Sequence, residues 1–348
     1  MIEESYAPTS WDDLEGVIPP AETLELHGHI EALASLSRNY RGKRLHHAWL
    51  LSGPKGIGKA TLAFRFAEHL LRNPIPENAP EEIACFNDPV HSQVSKGAHP
   101  NILILRKPWD QKTKKFKTQI TVDEIRKTAS FLQTASGANA WRIVIVDPAD
   151  DMNNSAANAL LKILEEPPAR TIFFVLAHSP RGLLPTIRSR CQVLALKPLP
   201  ESSLRMVLKA QPLTADISDS EVDHLVHYAK GSAKRALLLH QSGVLQTFSS
   251  FLEIVQTKQG DVGQLHRLAG MLAPAAKVSE YNLFMDLIYD HIDSRAHDMA
   301  INDQIGLDAI AKWAAIWDKT REATMRAETW NMDKKQAILD LYSDLRAA

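Results

Sequence analysis

Cysteine is nearly absent: Cys85 and Cys191 are the only two in 348 residues, so no disulfide framework can staple this chain. An excess of one charge is missing too, with 40 Lys and Arg against 41 Asp and Glu. That balance excludes a uniformly basic nucleic-acid coat and an acidic tail protein; any nucleic-acid contact must come from a local patch or a partner. Long hydrophobic runs are lacking, and stretches such as Ile172 to Ala177 are far too short to span a bilayer. The acidic start, Met1 to Glu4, has no apolar core, so no signal peptide is expected. What is present is an ordinary composition, 45% hydrophobic and 23% charged, able to bury sizeable cores. The expectation is a cytoplasmic protein of roughly two to three domains, with no membrane partner.

Short β-rich apolar runs occur at Ala48–Ser52, Asn101–Leu105, Arg142–Asp147, Thr171–Leu176 and Gln192–Leu196. Their apolar character on both faces predicts strands buried on both sides. Alternation with helical patterns predicts βαβ units and a parallel sheet. The strand signal stops after Leu196, and Pro198 and Pro200 mark a boundary. Helical spacing follows, as in Leu204, Val207 and Leu208, or Ile310, Trp313 and Ala314. Gly231-Ser232 breaks this half, and Gln241 to Gly243 breaks it more weakly. The pattern predicts an α/β domain over 1–197, a small helical domain over 198–243 and a larger helical domain over 244–348. Within the first, Pro74, Pro76, Pro80 and Pro89 interrupt a stretch without a period, which reads as an insertion over about 73–99.

Gly53-Pro54-Lys55-Gly56-Ile57-Gly58-Lys59 follows the first strand and opens a helical pattern, the context of a phosphate-binding loop. The glycines let backbone N–H groups curl around phosphate oxygens, and Lys59 would reach the β and γ phosphates. A Ser or Thr hydroxyl normally follows the Lys to bind Mg²⁺. Here Ala60 stands in that place and Thr61 comes one residue late, rotated by about 100° around the helix. The strand ending in Asp147 has the form of a Walker B motif, whose Asp holds Mg²⁺; a helix cap is the plainer role for it. Pro148 replaces the carboxylate that would polarise the attacking water, and Asp150 and Asp151 lie too far along. ATP or ADP is therefore expected as a weakly held or unhydrolysed ligand, and Mg²⁺ is in doubt.

Asn158 to Pro168, reading NALLKILEEPP, and Leu184 to Cys191, with the triplet Ser189-Arg190-Cys191, closely resemble the clamp-loader branch of the AAA+ ATPases. Ile120 to Arg126 is similar to the helix start before the Walker B strand in that family. The resemblance covers about His46 to Leu239. It implies a P-loop AAA+ parallel sheet domain, a small helical lid and an all-α C-terminal collar. Asp147-Pro148-Ala149-Asp150 resembles the non-hydrolysing kind of subunit in this branch more than the ATP-hydrolysing gamma/tau kind. The implied function is help in loading the sliding clamp onto primed DNA for bacterial DNA polymerase III. The implied partners are subunits of gamma/tau and delta type, the clamp and, through the assembled ring, primer–template DNA. Arg190 matches the arginine that reaches the ATP site of a neighbouring subunit, where it stabilises charge on the γ-phosphate; a surface ion pair is its plainer role. Gly231 to Ala236 resembles the sensor-2 segment of the lid. Lys234 and Arg235 compete for the phosphate-facing position there, with Arg235 carried as the candidate. His178 and Ser179 stand where a polar γ-phosphate sensor would be.

The resemblance also marks the insertion. Gamma/tau relatives carry a four-cysteine zinc module there, whereas this chain has Cys85, Asp88 and His91, with His99 as an outside fourth. Zinc is not expected on so few thiolates. Arg106, Lys107, Lys112, Lys114, Lys115 and Lys117 surround Trp109 and Phe116. They read as a solvated hairpin, with nucleic-acid stacking as the alternative. Two other functions stay open: an ATP-hydrolysing gamma-type motor, and a DNA-binding protein working alone.

Overall fold

A computed structural model describes residues 10–133, 140–257, 261–301, 307–330 and 333–347; the acidic start at 1–4 lies outside them. The chain forms two compact units, Met1–Ala236 and Leu237–Ala348.

The first unit is built on a five-stranded sheet of β1 (Ala48–Ser52), β2 (Ile102–Leu105), β5 (Arg142–Val146), β6 (Thr171–Ala177) and β7 (Gln192–Ala195). A two-stranded hairpin, β3 (Trp109–Asp110) and β4 (Lys115–Phe116), stands apart from it. The sheet order is β2-β5-β6-β1-β7 and every neighbour is parallel. Alternation along β5 shows how it is covered. Ile143 and Ile145 share a core with Leu36 of α1 (Ile30–Arg41) and Phe66 of α2 (Lys59–Arg72). Val144 and Val146 share the other core with Ile125 of α4 (Val122–Gln133) and Leu160 of α5 (Asn154–Glu165). Each such side chain contributes about 1.5–3 kcal/mol on burial.

The expectation of strands buried on both sides holds for β1 and β6 along their whole length, and for β5 from Ile143 onward. It fails at the edges. β2 is mostly half-buried and β7 is largely exposed, with Val193 46% accessible. An edge strand has a neighbour on one side only, so an apolar run there does not guarantee full cover.

Asn153 caps helix α5. The Asn153 carboxamide oxygen accepts the Ala156 N–H at 2.8 Å, and the helix stops before Pro167-Pro168. The insertion holds one short helix, α3 (Pro89–Ser95), capped by Asp88.

After β7 the unit continues with α7 (Glu201–Lys209), α8 (Asp219–Ala229) and the start of α9 (Ala233–Ser242). Gly231 separates α8 from α9 at φ 77°, and a Cβ there would lie 2.5 Å from Pro198 Cβ. Only glycine permits that approach. The stretch 198–236, most of the expected lid, thus belongs to the first compact unit.

Among the described residues the second unit is helical: α10 (Val244–Gln256), α11 (Val262–Leu272), α12 (Val278–Ile301), α13 (Leu307–Trp330) and α14 (Lys334–Ala347) follow the end of α9. Phe251 and Phe284 meet edge to face at 5.4 Å in its core. The buried stripe of α13 is Trp313, Ile316 and Thr320. Ala314, expected inside, is exposed, because the buried face runs at i, i+3, i+7 from Trp313. Among the described residues no helix is long and apolar enough to cross a membrane.

Candidate functional site

The loop after β1 and the segments after β5 and β6 emerge at the same end of the sheet, where open parallel sheets bind ligands. The backbone of the loop needs its glycines. Gly53 has φ 153°, and a Cβ there would lie 2.3 Å from the Leu196 carbonyl oxygen. Gly56 has φ 78°, and its Cβ would lie 2.4 Å from Lys234 Cβ and 2.6 Å from Ser232 Oγ. Gly58 precedes α2 as its N-cap. The His29 Nε2–H donates to the Ile57 carbonyl at 2.7 Å, fixing the middle of the loop.

Lys59 is buried, and its ammonium donates to the loop's own Gly53 and Pro54 carbonyls at 2.7 and 2.6 Å. Burial pushes it down to about 8, against the pull of Asp147 and Asp150. Ala60 packs against the apolar core and offers no hydroxyl; Thr61 follows it on α2. Burial raises the Asp147 carboxyl, which lies 3.9 Å from the Arg106 guanidinium and precedes a cis bond to Pro148. The next two carboxylates are engaged. Asp150 accepts the backbone N–H of His178 at 2.6 Å and of Ser179 at 3.3 Å, and Asp151 pairs with Lys107 at 2.8 Å. The His178 ring is pushed down by burial first and by Lys59 second.

The stretch Gly231 to Ala236 docks directly on the loop. Ser232 Oγ donates to the Lys55 carbonyl at 2.8 Å, and the Lys234 N–H donates to the Gly56 carbonyl at 3.3 Å. The Lys234 ammonium is drawn to Asp12, whose carboxylate and carbonyl each accept at 2.6 Å. Arg235 is tied to this stretch by its backbone N–H, which donates to Ser232 Oγ at 3.2 Å. Of the two competing cations, the structure brings the Lys234 side chain toward the loop.

Arg190 follows the short α6 (Pro185–Arg188). Its guanidinium donates to Glu165 Oε1 at the end of α5, at 2.8 Å, and to the Thr186 carbonyl at 3.1 Å. Both side chains of the ion pair are partly exposed.

The three zinc candidates serve other partners. Asp88 accepts the His91 N–H at 2.9 Å and binds Arg72 through both oxygens; hydrogen bonding to Arg72 holds its carboxyl down at about 2. His91 Nδ1 lies 3.0 Å from Glu68. Glu68 also pairs with Arg65 at 2.7 Å and Arg72 at 3.0 Å, with Glu68 and Arg65 each 1% exposed. The Cys85 thiol is raised by burial. Among the described residues no cluster of His, Cys, Asp or Glu is placed to hold a metal. A buried ion-pair cluster of Glu68, Arg65, Arg72 and His91 stands among the three candidates.

The basic stretch divides. Lys112, Lys114, Lys115 and Lys117 are exposed on the hairpin, whereas Arg106 and Lys107 turn toward Asp147 and Asp151. Trp109 and Phe116 pack edge to face at 4.9 Å, on each other. Trp11, Asp12, Arg106 and Lys107 at this site were not found by sequence motifs. The first two sit before any pattern, and the last two looked like part of a solvated run.

The family described as DNA polymerase III, delta subunit, matches residues 28–200. The DNA polymerase III subunit delta' of Pseudomonas aeruginosa is 34% identical over 62% of this chain and 62% of its own length. That of Escherichia coli is 32% identical over 48% of this chain and 47% of its own. The tau subunit of Bacillus subtilis is 27% identical over 66% of this chain and 39% of its own. The chain thus spans less than two thirds of the length of these relatives. Residues 28–200, which carry the loop, Asp147 and Arg190, thus match the family of the DNA polymerase III delta subunit, and the chain is similar there to relatives named DNA polymerase III subunit delta'.

Proposed function

We propose that this chain is a clamp-loader subunit of the delta-prime type. It does not hydrolyse ATP at its own loop, and it supplies Arg190 to the ATP site of a neighbouring subunit while the ring loads the sliding clamp onto primed DNA. Its ring partners would be of gamma/tau and delta type. The lid over 198–243 and the helical collar over 244–348 are part of this reading, as is a cytoplasmic location.

The observation that carries it is the set of residues around Lys59. Ala60 stands in place of the metal-binding hydroxyl, Pro148 in place of the water-activating carboxylate, and Asp150 and Asp151 are bonded elsewhere. Loop 53–59, with Lys55, Lys59 and Lys234, fits the phosphates of ATP or ADP. Glycine backbones and convergent ammonium groups are what such an anion needs. To meet a phosphate, the Lys59 ammonium would exchange the Gly53 and Pro54 carbonyls for it. The residues do not fit Mg²⁺, since Asp147 alone remains of its usual ligands, so no hydrolytic step is assigned here.

Arg190 suits a role in trans. An exposed ion pair such as Arg190–Glu165 is worth about 0–1 kcal/mol, so little holds the guanidinium at home. A partly desolvated phosphate would be the stronger partner. The test is ATP turnover by the purified chain with Mg²⁺ present. None above background is expected, with or without Lys59→Ala. Turnover that vanishes on Lys59→Ala would instead favour the gamma-type motor, a reading kept in view by the tau and gamma relatives.

A further inference from the structure

Ser10 to Asp13 runs across the mouth of the phosphate loop and makes contacts out of proportion to its length. The Trp11 ring faces three ammonium groups: Lys107 Nζ lies 3.9 Å from its centroid, Lys55 Nζ 5.0 Å and Lys234 Nζ 5.9 Å. The three lysines come from the loop, the segment after β2 and the start of α9. Like charges so gathered repel unless a π face or an anion stands among them. Here the ring, Asp12 and Asp151 fill that role. Asp12 accepts the Lys234 ammonium through its carboxylate and its carbonyl, both at 2.6 Å, and its other carboxylate oxygen accepts the Ser10 hydroxyl at 3.0 Å. Burial would push the Asp12 carboxyl up, but Lys234 outweighs it and holds the group below its ordinary value. A carboxylate fixed by a charge-assisted hydrogen bond beside a glycine-rich loop has the chemistry of a bound phosphate.

We propose that Lys55, Lys107 and Lys234 form an anion subsite for the polyphosphate tail of a nucleotide, and that Trp11 and Asp12 are its built-in occupant, displaced when a nucleotide binds. This rests on reading loop 53–59 as a phosphate loop. It adds Lys107, which belongs to no nucleotide motif, to the cations that meet phosphate. It also gives the loop a resting state: Lys59 satisfied by its own carbonyls, and the outer lysines satisfied by Trp11, Asp12 and Asp151.

The experiment is calorimetric titration of ATP into the full chain, comparing the unaltered protein with Trp11→Ala, Asp12→Asn, Lys59→Ala and Asp12→Asn/Lys59→Ala. Asp12→Asn keeps the side-chain volume, so it guards against a Trp11→Ala variant that fails to fold. The expected result is that Trp11→Ala and Asp12→Asn each tighten ATP at least about tenfold, or about 1.4 kcal/mol, and that Lys59→Ala cancels the gain. Hydrogen exchange of residues 10–13 should also rise in saturating ATP. Equal binding by the unaltered chain and both occupant variants, lost on Lys59→Ala, would overturn the occupant while leaving the loop reading intact. Weaker binding by Asp12→Asn would overturn it as well, since Asp12 would then serve the ligand rather than compete with it. No binding by any form would overturn both the occupant and the phosphate loop.

Discussion

His69 lies on the buried face of α2, its ring stacked on Phe66 at 5.9 Å and edge-on to Tyr40 at 6.0 Å. Among the described residues its Nε2 has no hydrogen-bond partner. Burial first, and Arg72 second, push it from 6.5 to about 4. Between those values the unfolded chain binds more protons than the folded one. This residue's contribution is therefore whole above pH 6.5 and is lost as pH falls toward 4. Urea denaturation should show the protein roughly 2 kcal/mol less stable at pH 5 than at pH 7 on this account alone. His69→Phe should remove that share of the slope, and an unchanged slope would contradict it. Glu68 makes a second prediction. It is buried against Arg65, Arg72 and His91, so Glu68→Gln leaves cations without their counter-charge. A loss of about 3–5 kcal/mol is expected in the same assay; a loss under about 1 kcal/mol would mean the cluster is solvated in solution. Neither environment was legible in the sequence. The pattern marked Cys85, Asp88 and His91 as remains of a metal site, but it could not show that Arg65 and Arg72 of α2 fold back onto them.

At the level of elements, much more was legible. The five apolar runs are the five strands of the parallel sheet, displaced by a residue at some ends, because short apolar runs between helical patterns permit little else. The two breaks, at Gly231-Ser232 and near Gly243, fall where α9 begins and ends. The exposure of β7 was hidden because a sequence does not show which strand lies at an edge. The docking of α9 on the phosphate loop was hidden too, since its contacts join residues about 177 apart. That docking gives a prediction. A methyl at Gly56 would strike Lys234 Cβ and Ser232 Oγ in a conformation that already disfavours a side chain. Gly56→Ala should therefore cost about 1–3 kcal/mol and raise hydrogen exchange at the start of α9. Unchanged exchange there would mean that this contact does not hold the helix.

For the whole molecule, near-neutral charge fits a chain whose proposed business is with protein partners. Four exposed lysines, Lys112, Lys114, Lys115 and Lys117, sit together on one hairpin, and the cations beside the phosphate loop are matched by Asp12, Asp147 and Asp151. The proposed division of labour is that this chain's own site lacks the hydrolytic parts while Arg190 stands apart from it, just after α6, bonded to Glu165 and Thr186. That proposal comes from motifs, because both the gaps and the arginine lie within short, characteristic stretches. The direct measurement is single-turnover ATP hydrolysis by the reconstituted ring carrying either this chain unaltered or its Arg190→Ala variant. The account predicts normal assembly with about 10³-fold or greater loss of hydrolysis at the site Arg190 completes. Assembly with unchanged hydrolysis at every site would contradict it.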